Sequence, residues 1–280
     1  MKKTRVLIVF VCMMAAVNFA SADTIRGIGM DFVTIGNAGN AADTGGTPGS
    51  GAVSSNYRIG KYEVTATQWQ TINTAAGIGN SGTWSGNQPV AEISWYDAAQ
   101  FCNYLTSGNK YSGAYQFDIS GNFLSIDRVS SISTYGTTYV IPTEDEWYKA
   151  AYYKPNASGY SLYANGTNTA PVAGVNSNYY NGAGAPWNIT NGTQEQNGTF
   201  DMMGNVWEWN EALIGSHRGL FGGSYKGGSA PNLLRSSDRY DNNPLNEIDD
   251  IGFRVASVPE PCSLVLLSLG GLVLRRRRVS

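Results

Sequence analysis

The chain has 280 residues, of which 42% are hydrophobic and 14% charged, and its formal net charge is −2. Residues 23–258, between two atypical ends, hold 12 basic and 20 acidic residues and are enough for one large domain or two small ones. Their net charge of −8 argues against nucleic acid or an anionic surface as a partner, and suits cations or neutral ligands such as glycans.

The first 22 residues predict a secretory signal peptide. Basic residues precede an apolar run over residues 6–17, and Ala20-Ser21-Ala22 provides a small-residue cleavage site. We therefore expect export through the Sec machinery and a mature chain that begins at Asp23.

The next elements are two strands and a helix. Residues 30–35 alternate between apolar and polar side chains, and residues 57–65 are β-branched and aromatic with period two, so both segments predict strands. Thr65 can cap a helix over residues 66–75.

Two further segments, residues 89–105 and 139–151, each predict a strand that leads into a capped helix. In both, a Ser or Thr is followed three residues later by a carboxylate, which is the capping-box pattern. The pairs are Ser94 with Asp97 and Thr143 with Glu146. The residues expected on the buried face of the first helix are Ala98, Phe101, Cys102 and Leu105.

The remaining segments predict irregular structure. Residues 108–138 form a less regular insert, and residues 154–197 form a long loop rich in Gly, Asn and Tyr. Cys102 is the only cysteine between the two ends, so no internal disulfide is expected. We interpret its thiol as a small buried hydrophobe.

Six motifs follow one another along the chain. They are Tyr-Arg-Ile-Gly-Lys-Tyr-Glu-Val-Thr from Tyr57, Pro-Val-x-x-Ile-Ser-Trp-x-Asp-Ala from Pro89, Pro-Thr-Glu-x-Glu-Trp from Pro142, Gly-Asn-Val-Trp-Glu-Trp from Gly204, Gly-Gly-Ser-Tyr from Gly222 and Gly-Phe-Arg from Gly252. Together they resemble the formylglycine-generating enzyme family, also called sulfatase-modifying factor domains. The resemblance covers roughly residues 28–256. It implies a single α+β domain over residues 23–257, with an elaborated C-type-lectin-like fold and much irregular loop structure.

The resemblance also draws attention to a catalytic pair that this chain lacks. Catalytic members of the family place two cysteines shortly after the Gly-Gly-Ser-Tyr segment, where the thiolates bind copper and activate oxygen. The corresponding residues here are Gly227 and Asn232. We therefore expect neither bound copper nor the family's oxidase activity. The single histidine, His217, also excludes the multi-histidine iron centre of the family's sulfoxide synthases.

The same resemblance implies a structural calcium site. Its ligands would be the side chains of Asp201 and Glu208 and the carbonyls of Gly204 and Val206. Such oxygen donors around a glycine turn are what calcium prefers. In the alternative interpretation, the two carboxylates only cap and solvate a turn. A second family site would use Asn178 and the carbonyl of Tyr179, in a loop that diverges from the family.

A ligand groove is expected around the segment that replaces the catalytic loop. The candidate residues are Ser224, Tyr225, Lys226, Asn232 and Arg239. Asp250 and Arg254 lie where the family lines this groove or stabilises the last strand, and we interpret Arg254 as structural. Trp207 and Trp209 are expected in the core, with sugar stacking as the alternative.

The last residues, 258–280, resemble a PEP-CTERM sorting tail, which exosortases of Gram-negative bacteria recognise. A Pro-Glu-Pro sequence precedes an apolar run over residues 263–274 and a cluster of four arginines. A dozen apolar residues can engage a bilayer but hardly cross it alone, and the arginines hold the terminus on the cytoplasmic side. We expect transient anchoring at the inner membrane, then cleavage and transfer to the cell surface or matrix. The alternative is a short permanent anchor.

Two functional hypotheses follow from these features. The first is an exported, non-enzymatic ligand-binding or extracellular-matrix protein, stabilised by calcium, whose partners are extracellular polysaccharide or envelope proteins. The second is an oxidase that acts on cysteine in target proteins, which is disfavoured by Gly227 and Asn232. A hydrolase based on paired carboxylates is a third possibility, without a spacing pattern to support it.

Overall fold

The computed structural model describes residues 21–180, 184–226 and 231–258. Outside these ranges lie residues 1–20 of the predicted signal peptide (1–22), residues 259–280 of the predicted sorting tail (258–280), and Gly227. Among the described residues, no helix has the length and apolar character needed to cross a membrane.

Short strands and few helices make up the fold. The strands are β1 (Ser21–Ile25), β2 (Ile28–Ile35), β3 (Tyr57–Gly60), β4 (Tyr115–Phe117), β5 (Phe123–Ile126), β6 (Thr138–Val140), β7 (Trp207–Ile214), β8 (His217–Phe221), β9 (Tyr240–Asn242), β10 (Ile251–Gly252) and β11 (Ala256–Val258). The helices are α1 (Ala66–Ala76), α2 (Trp95–Ser107), α3 (Arg128–Tyr135) and α4 (Glu144–Tyr152), with a 3₁₀ turn at Pro231–Leu234.

The strands form three sheets. The largest has the order β1-β2-β3-β11-β6 and is antiparallel throughout, so that the last strand of the described chain lies between β3 and β6. The second sheet has the order β10-β7-β8-β9, in which β10 pairs with β7 in parallel. A separate hairpin is formed by β4 and β5. Each of the two larger sheets thus pairs strands that are far apart in the sequence.

The three predicted helix starts are confirmed. Thr65, Ser94 and Thr143 cap α1, α2 and α4, and each forms a complete capping box with the residue three positions later. Each cap satisfies amide groups that the first helical turn leaves unpaired, and contributes about 1 kcal/mol. Helix starts follow from short-range chemistry, which explains why the sequence pattern locates them.

Two strand predictions were too long. The predicted strand over residues 57–65 ends at Gly60: the amide of Lys61 still bonds to the carbonyl of Asp31 in β2, but the amide of Val64 bonds to Phe253, which belongs to no strand. Residues 89–93 form only isolated bridges, at Pro89 and Ala91. The β-type composition of the residues outside the ladders, such as Val64, Val90 and Ile93, reflects their burial rather than strand pairing.

The two segments that the sequence predicts to be irregular, residues 108–138 and 154–197, differ from each other in the structure. The insert over residues 108–138, predicted to be less regular, contains the β4–β5 hairpin and α3. By contrast, the described residues between Tyr152 and Trp207 contain no helix and no strand longer than a bridge, which confirms the predicted long loop.

Aromatic rings join the helices to the sheets. Trp69 of α1 stacks on Phe101 of α2 at 5.5 Å between ring centroids, and Phe253 meets Phe101 edge-on at 5.3 Å. Trp147 of α4 stacks on Phe221 of β8 at 5.1 Å. All five side chains are fully buried, so this aromatic packing fixes where β7 and β8 lie relative to the helices.

Candidate functional site

Gly204-Asn205-Val206, the start of the Gly-Asn-Val-Trp-Glu-Trp motif directly before β7, form a tight turn that we call the signature turn. One asparagine holds it in place. Asn205 has a left-handed backbone with φ of 64°, a conformation that Asn tolerates better than most residues. Its amide nitrogen donates to Glu63 Oε2 at 2.6 Å, and its amide oxygen accepts from Asn178 Nδ2 at 3.1 Å and from the Trp187 backbone at 2.9 Å. The side chain of Asn205 therefore ties this turn to the segment between β3 and α1 and to the long loop.

A fully buried ion pair lies directly behind this turn. Arg254 donates through Nη2 to Glu208 Oε1 at 2.5 Å and through Nε to Oε2 at 2.6 Å. Trp147 Nε1 adds a bond to Oε2 at 2.7 Å. Arg254 also donates to the carbonyls of Gly60 and Phe200 at 3.0 and 2.9 Å. This bidentate pair joins β7, α4, β3 and the last residues of the domain.

Arg254 lies in a buried cluster that contains more carboxylates than cations. Glu63, Glu195 and Asp201 are all buried near Glu208. Desolvation, followed by repulsion from Asp201 and Glu208, raises the pKa of Glu63 well above its usual range. Burial likewise raises the pKa of Asp201, and it raises the pKa of Glu195 to about 7. The cluster therefore favours an added proton or cation.

The four expected calcium ligands are only partly arranged as a site. Asp201 Oδ1 accepts from Trp187 Nε1 at 2.8 Å, while its Oδ2 is buried without a hydrogen-bond donor among the described residues, as a cation ligand would be. Glu208, in contrast, gives both oxygens to Arg254 and Trp147. Within the described ranges, no three His, Cys, Asp or Glu side chains converge as a metal-binding group. Asp201 fits a cation, and Glu208 in this arrangement does not.

The expected second calcium site involves buried groups near residues that are not described. Asn178 is fully buried, and its side-chain amide also donates to the Ala185 carbonyl at 3.3 Å. The hydroxyl of Tyr179 donates to the Pro171 carbonyl at 2.9 Å. Residues 181–183, which follow directly, lie outside the described ranges.

Glu195→Gln is expected to change how stability depends on pH. Because the folded-state pKa is raised to about 7, the folded protein keeps a proton that the unfolded chain loses above its ordinary pKa of 4.5. Wild-type stability should therefore fall as pH rises through this window, by at most about 3 kcal/mol, and level off above it. Glutamine lacks this titration. We would measure the free energy of unfolding in urea for both proteins at about pH 5 and about pH 8. Relative to wild type, the variant should be more stable at about pH 8 than at about pH 5. An equal difference between the two proteins at both pH values would contradict the raised pKa of Glu195.

A cavity of about 380 Å³ opens beside the second sheet, a volume within the range of small-molecule sites. The lining residues that matter for chemistry are Trp207, Ser224, Lys226, Tyr240, Asp241 and Asp250. The rings of Trp207 and Tyr240 lie 4.9 Å apart at 42° and form an aromatic corner. Two carboxylates, a hydroxyl and an ammonium group surround that corner. The cavity can therefore hold a ligand that has both an apolar face and polar groups.

The predicted groove residues divide between this cavity and its surroundings. Ser224 and Lys226 line the cavity. Tyr225 is buried behind it, with its ring edge-on to Trp84 at 5.8 Å. Asn232 is exposed in the 3₁₀ turn, and Arg239 forms a salt bridge with Glu144 of α4 at 2.5 Å. Neither Asn232 nor Arg239 lines the cavity.

The two side chains most able to act as nucleophile or base, Cys102 and His217, do not line the cavity, although His217 contacts the lining residue Asp241. Cys102 is fully buried in α2, and burial raises the pKa of its thiol well above the usual range. His217 lies at the start of β8, where its Nδ1 is 2.6 Å from Asp241 Oδ2. No described lining residue of the cavity is a cysteine.

The family profile described as "Sulfatase-modifying factor enzyme 1-like domain" matches residues 20–258. The chain belongs to this family. The match includes both larger sheets, the signature turn and the cavity, so the fold expected from the six motifs is confirmed as that of a sulfatase-modifying-factor domain.

Other proteins resemble this sulfatase-modifying-factor domain. "Chaperone protein LppX" from Paenibacillus barcinonensis is 31% identical over 180 residues, which are 55% of this chain and 61% of LppX. The chain thus matches about three fifths of the length of that relative. Among solved structures, Treponema denticola variable protein 1 has a TM-score of 0.65 at 23% identity, covering 88% of this chain and 100% of its own.

Two further solved structures share the fold. CarF has a TM-score of 0.59 at 24% identity, with 83% of this chain and 99% of CarF covered. PvdO from Pseudomonas aeruginosa has a TM-score of 0.59 at 16% identity, with 82% of this chain and 94% of PvdO covered. At these identities the likeness supports the fold alone.

The sequence reading missed the aromatic corner of the cavity. Trp209 is fully buried, as expected, but Trp207 is only partly buried and faces the cavity. No sequence pattern points to Tyr240, although it follows directly after the candidate Arg239. Strand alternation gave no signal for this difference, because it places Trp207 and Trp209 on the same face of β7, and Trp207 is less covered only because it stands at the first position of the strand.

Proposed function

We propose that this protein is a non-catalytic, exported ligand-binding protein built on a sulfatase-modifying-factor scaffold of the elaborated C-type-lectin-like kind. The observation that carries the proposal is a cavity with an aromatic corner and polar side chains, in a family member that has Gly227 and Asn232 where catalytic relatives have thiols. A curated relative named as a chaperone also supports binding rather than chemistry.

Location follows from the two ends of the chain. The N-terminal residues 1–22 direct export through the Sec machinery, and residues 258–280 serve as an exosortase sorting tail that holds the protein briefly at the inner membrane. After cleavage the protein acts at the cell surface or in the extracellular matrix. Its partners there are polysaccharide or envelope proteins, and the net charge of −8 between the ends disfavours nucleic acid.

Binding to a glycan array is the experiment that tests this function. The purified protein should bind one glycan class saturably, and Tyr240→Ala should weaken that binding about tenfold by removing half of the aromatic corner. Tyr135→Ala is the matched control, because Tyr135 is a comparably exposed tyrosine on α3 outside the cavity lining. Absence of binding across the array by a folded protein would contradict a glycan-binding role.

We further propose that calcium stabilises the domain through Asp201, whose Oδ2 lacks a donor among the described residues. Calcium should raise Tm, and the rise should be larger at about pH 8 than at about pH 5.5, since protons compete for the buried carboxylates. Asp201→Asn, which keeps an acceptor for Trp187, should reduce the rise. Equal Tm with calcium and with chelator at both pH values would refute the calcium proposal.

A further inference from the structure

The charged groups of the cavity do not cancel. Asp241 and Asp250 line it together with Lys226. The Lys226 ammonium is already paired with Asp249, which is not among the lining residues. Asp241 is engaged as well, because its Oδ2 lies 2.6 Å from His217 Nδ1. Asp250 is thus the lining carboxylate without a charged partner among the described residues, and it gives the cavity a negative field.

Asp250 has an oxygen left for a ligand. Its side chain is only 9% exposed, and its Oδ2 accepts a hydrogen bond from Ser224 Oγ at 2.6 Å. Its Oδ1 receives no hydrogen bond from the described residues. An Oδ1 without a protein donor is free to accept from a ligand, and a ligand that brings a charged N–H group would form a charge-assisted hydrogen bond with it.

The same cavity provides a surface for a ring. The rings of Trp207 and Tyr240 form a corner 4.9 Å between centroids, and Tyr240 is 47% exposed. The backbone amide of Trp207 donates to the carbonyl of Asp250 at 2.8 Å, which fixes the aromatic corner next to the carboxylate. Asn242 and Ser224 add polar groups suited to hydroxyls. Aromatic faces also attract cations directly.

We propose that the cavity binds an amino sugar with a free amine: the sugar ring lies on Trp207 and Tyr240, and its ammonium group pairs with Asp250. The proposal rests on the proposed function, because it names the ligand class of the same cavity. An acidic sugar would meet two carboxylates, and a neutral or N-acetylated sugar would bring no positive charge to Asp250 Oδ1. The free amine alone satisfies both the charge and the open acceptor.

The test compares two probes that differ only in acetylation. Glucosamine oligomers and N-acetylglucosamine oligomers of equal length are titrated calorimetrically into the purified protein, in a mildly acidic buffer that keeps the amine protonated. The free-amine oligomer should bind at least about tenfold more tightly, as expected for a charge-assisted hydrogen bond. Asp250→Asn should abolish that preference while keeping an acceptor for Ser224. Asp118→Asn in the β4–β5 hairpin, whose amide oxygen can still accept from Ser120 and Asn122, should leave it unchanged.

Each other outcome overturns the inference in a recognisable way. Equal binding of both oligomers, weakened by Tyr240→Ala, would reject amine recognition and leave a glycan-binding cavity. Preference for uronic-acid oligomers, lost in Lys226→Met, would assign the opposite charge to the ligand. If the folded protein binds none of the oligomers and no glycan on an array, both the inference and the proposed function fail.

Discussion

Arg254→Met is expected to lower the free energy of unfolding by about 3–5 kcal/mol, or to prevent folding altogether. The substitution leaves Glu208 buried and unpaired, next to Glu63, Glu195 and Asp201, and the carbonyls of Gly60 and Phe200 lose their donors. Removing one partner of a buried pair costs far more than the pair contributes to stability, because the remaining charge is left desolvated. Urea unfolding followed by tryptophan fluorescence measures the loss.

Arg239→Met is the matched control for this prediction. It removes an arginine–glutamate pair of similar geometry, with Glu144, but the Arg239 side chain is 37% exposed and the expected loss is below about 1 kcal/mol. The double variant Arg254→Met with Glu208→Gln should recover part of the lost stability, because it removes the uncompensated charge. Similar losses at Arg254 and Arg239 would show that the buried cluster is not the source of the effect.

The sequence predicted local structure and family features better than it predicted the site. Thr65, Ser94 and Thr143 act through residues only three positions away, so the helix starts could be identified from the pattern alone. The pairing of Arg254 with Glu208 spans 46 residues and depends on how β10 and β11 enter two different sheets. No periodicity in the sequence encodes such a contact.

The cavity was predicted only in part for the same reason. The sequence predicts Ser224, Tyr225 and Lys226 together because they lie in or beside a recognisable motif, but only Ser224 and Lys226 line the cavity, whereas Tyr225 between them is buried behind it. Trp207 and Tyr240 meet only because β8 lies between β7 and β9 and brings their ends together. A binding surface formed by three strands requires the topology, which motif matching does not supply.

Gly204→Ala is expected to cost about 2–5 kcal/mol, from two causes that add. Gly204 has a φ of 93°, where a side chain strains the backbone by about 1–2 kcal/mol. A Cβ there would also lie 2.6 Å from the Asn178 carbonyl oxygen and 2.9 Å from Ser177 Oγ, and such overpacking costs about 1–3 kcal/mol more. The Gly204 amide donates to the Gly222 carbonyl at 2.7 Å, so the strain would also reach the turn that precedes the cavity.

Gly215→Ala separates those two causes. Gly215 lies in the turn between β7 and β8 with a φ of 63°, but a Cβ added there would have no atom within 4 Å. Its expected cost is therefore the backbone strain alone, about 1–2 kcal/mol. Urea unfolding of both variants should give a larger loss for Gly204→Ala by about 1–3 kcal/mol, which measures the close approach of the signature turn to the loop at Asn178. Equal losses would mean that the loop moves away without cost, and that the signature turn does not depend on contact with it.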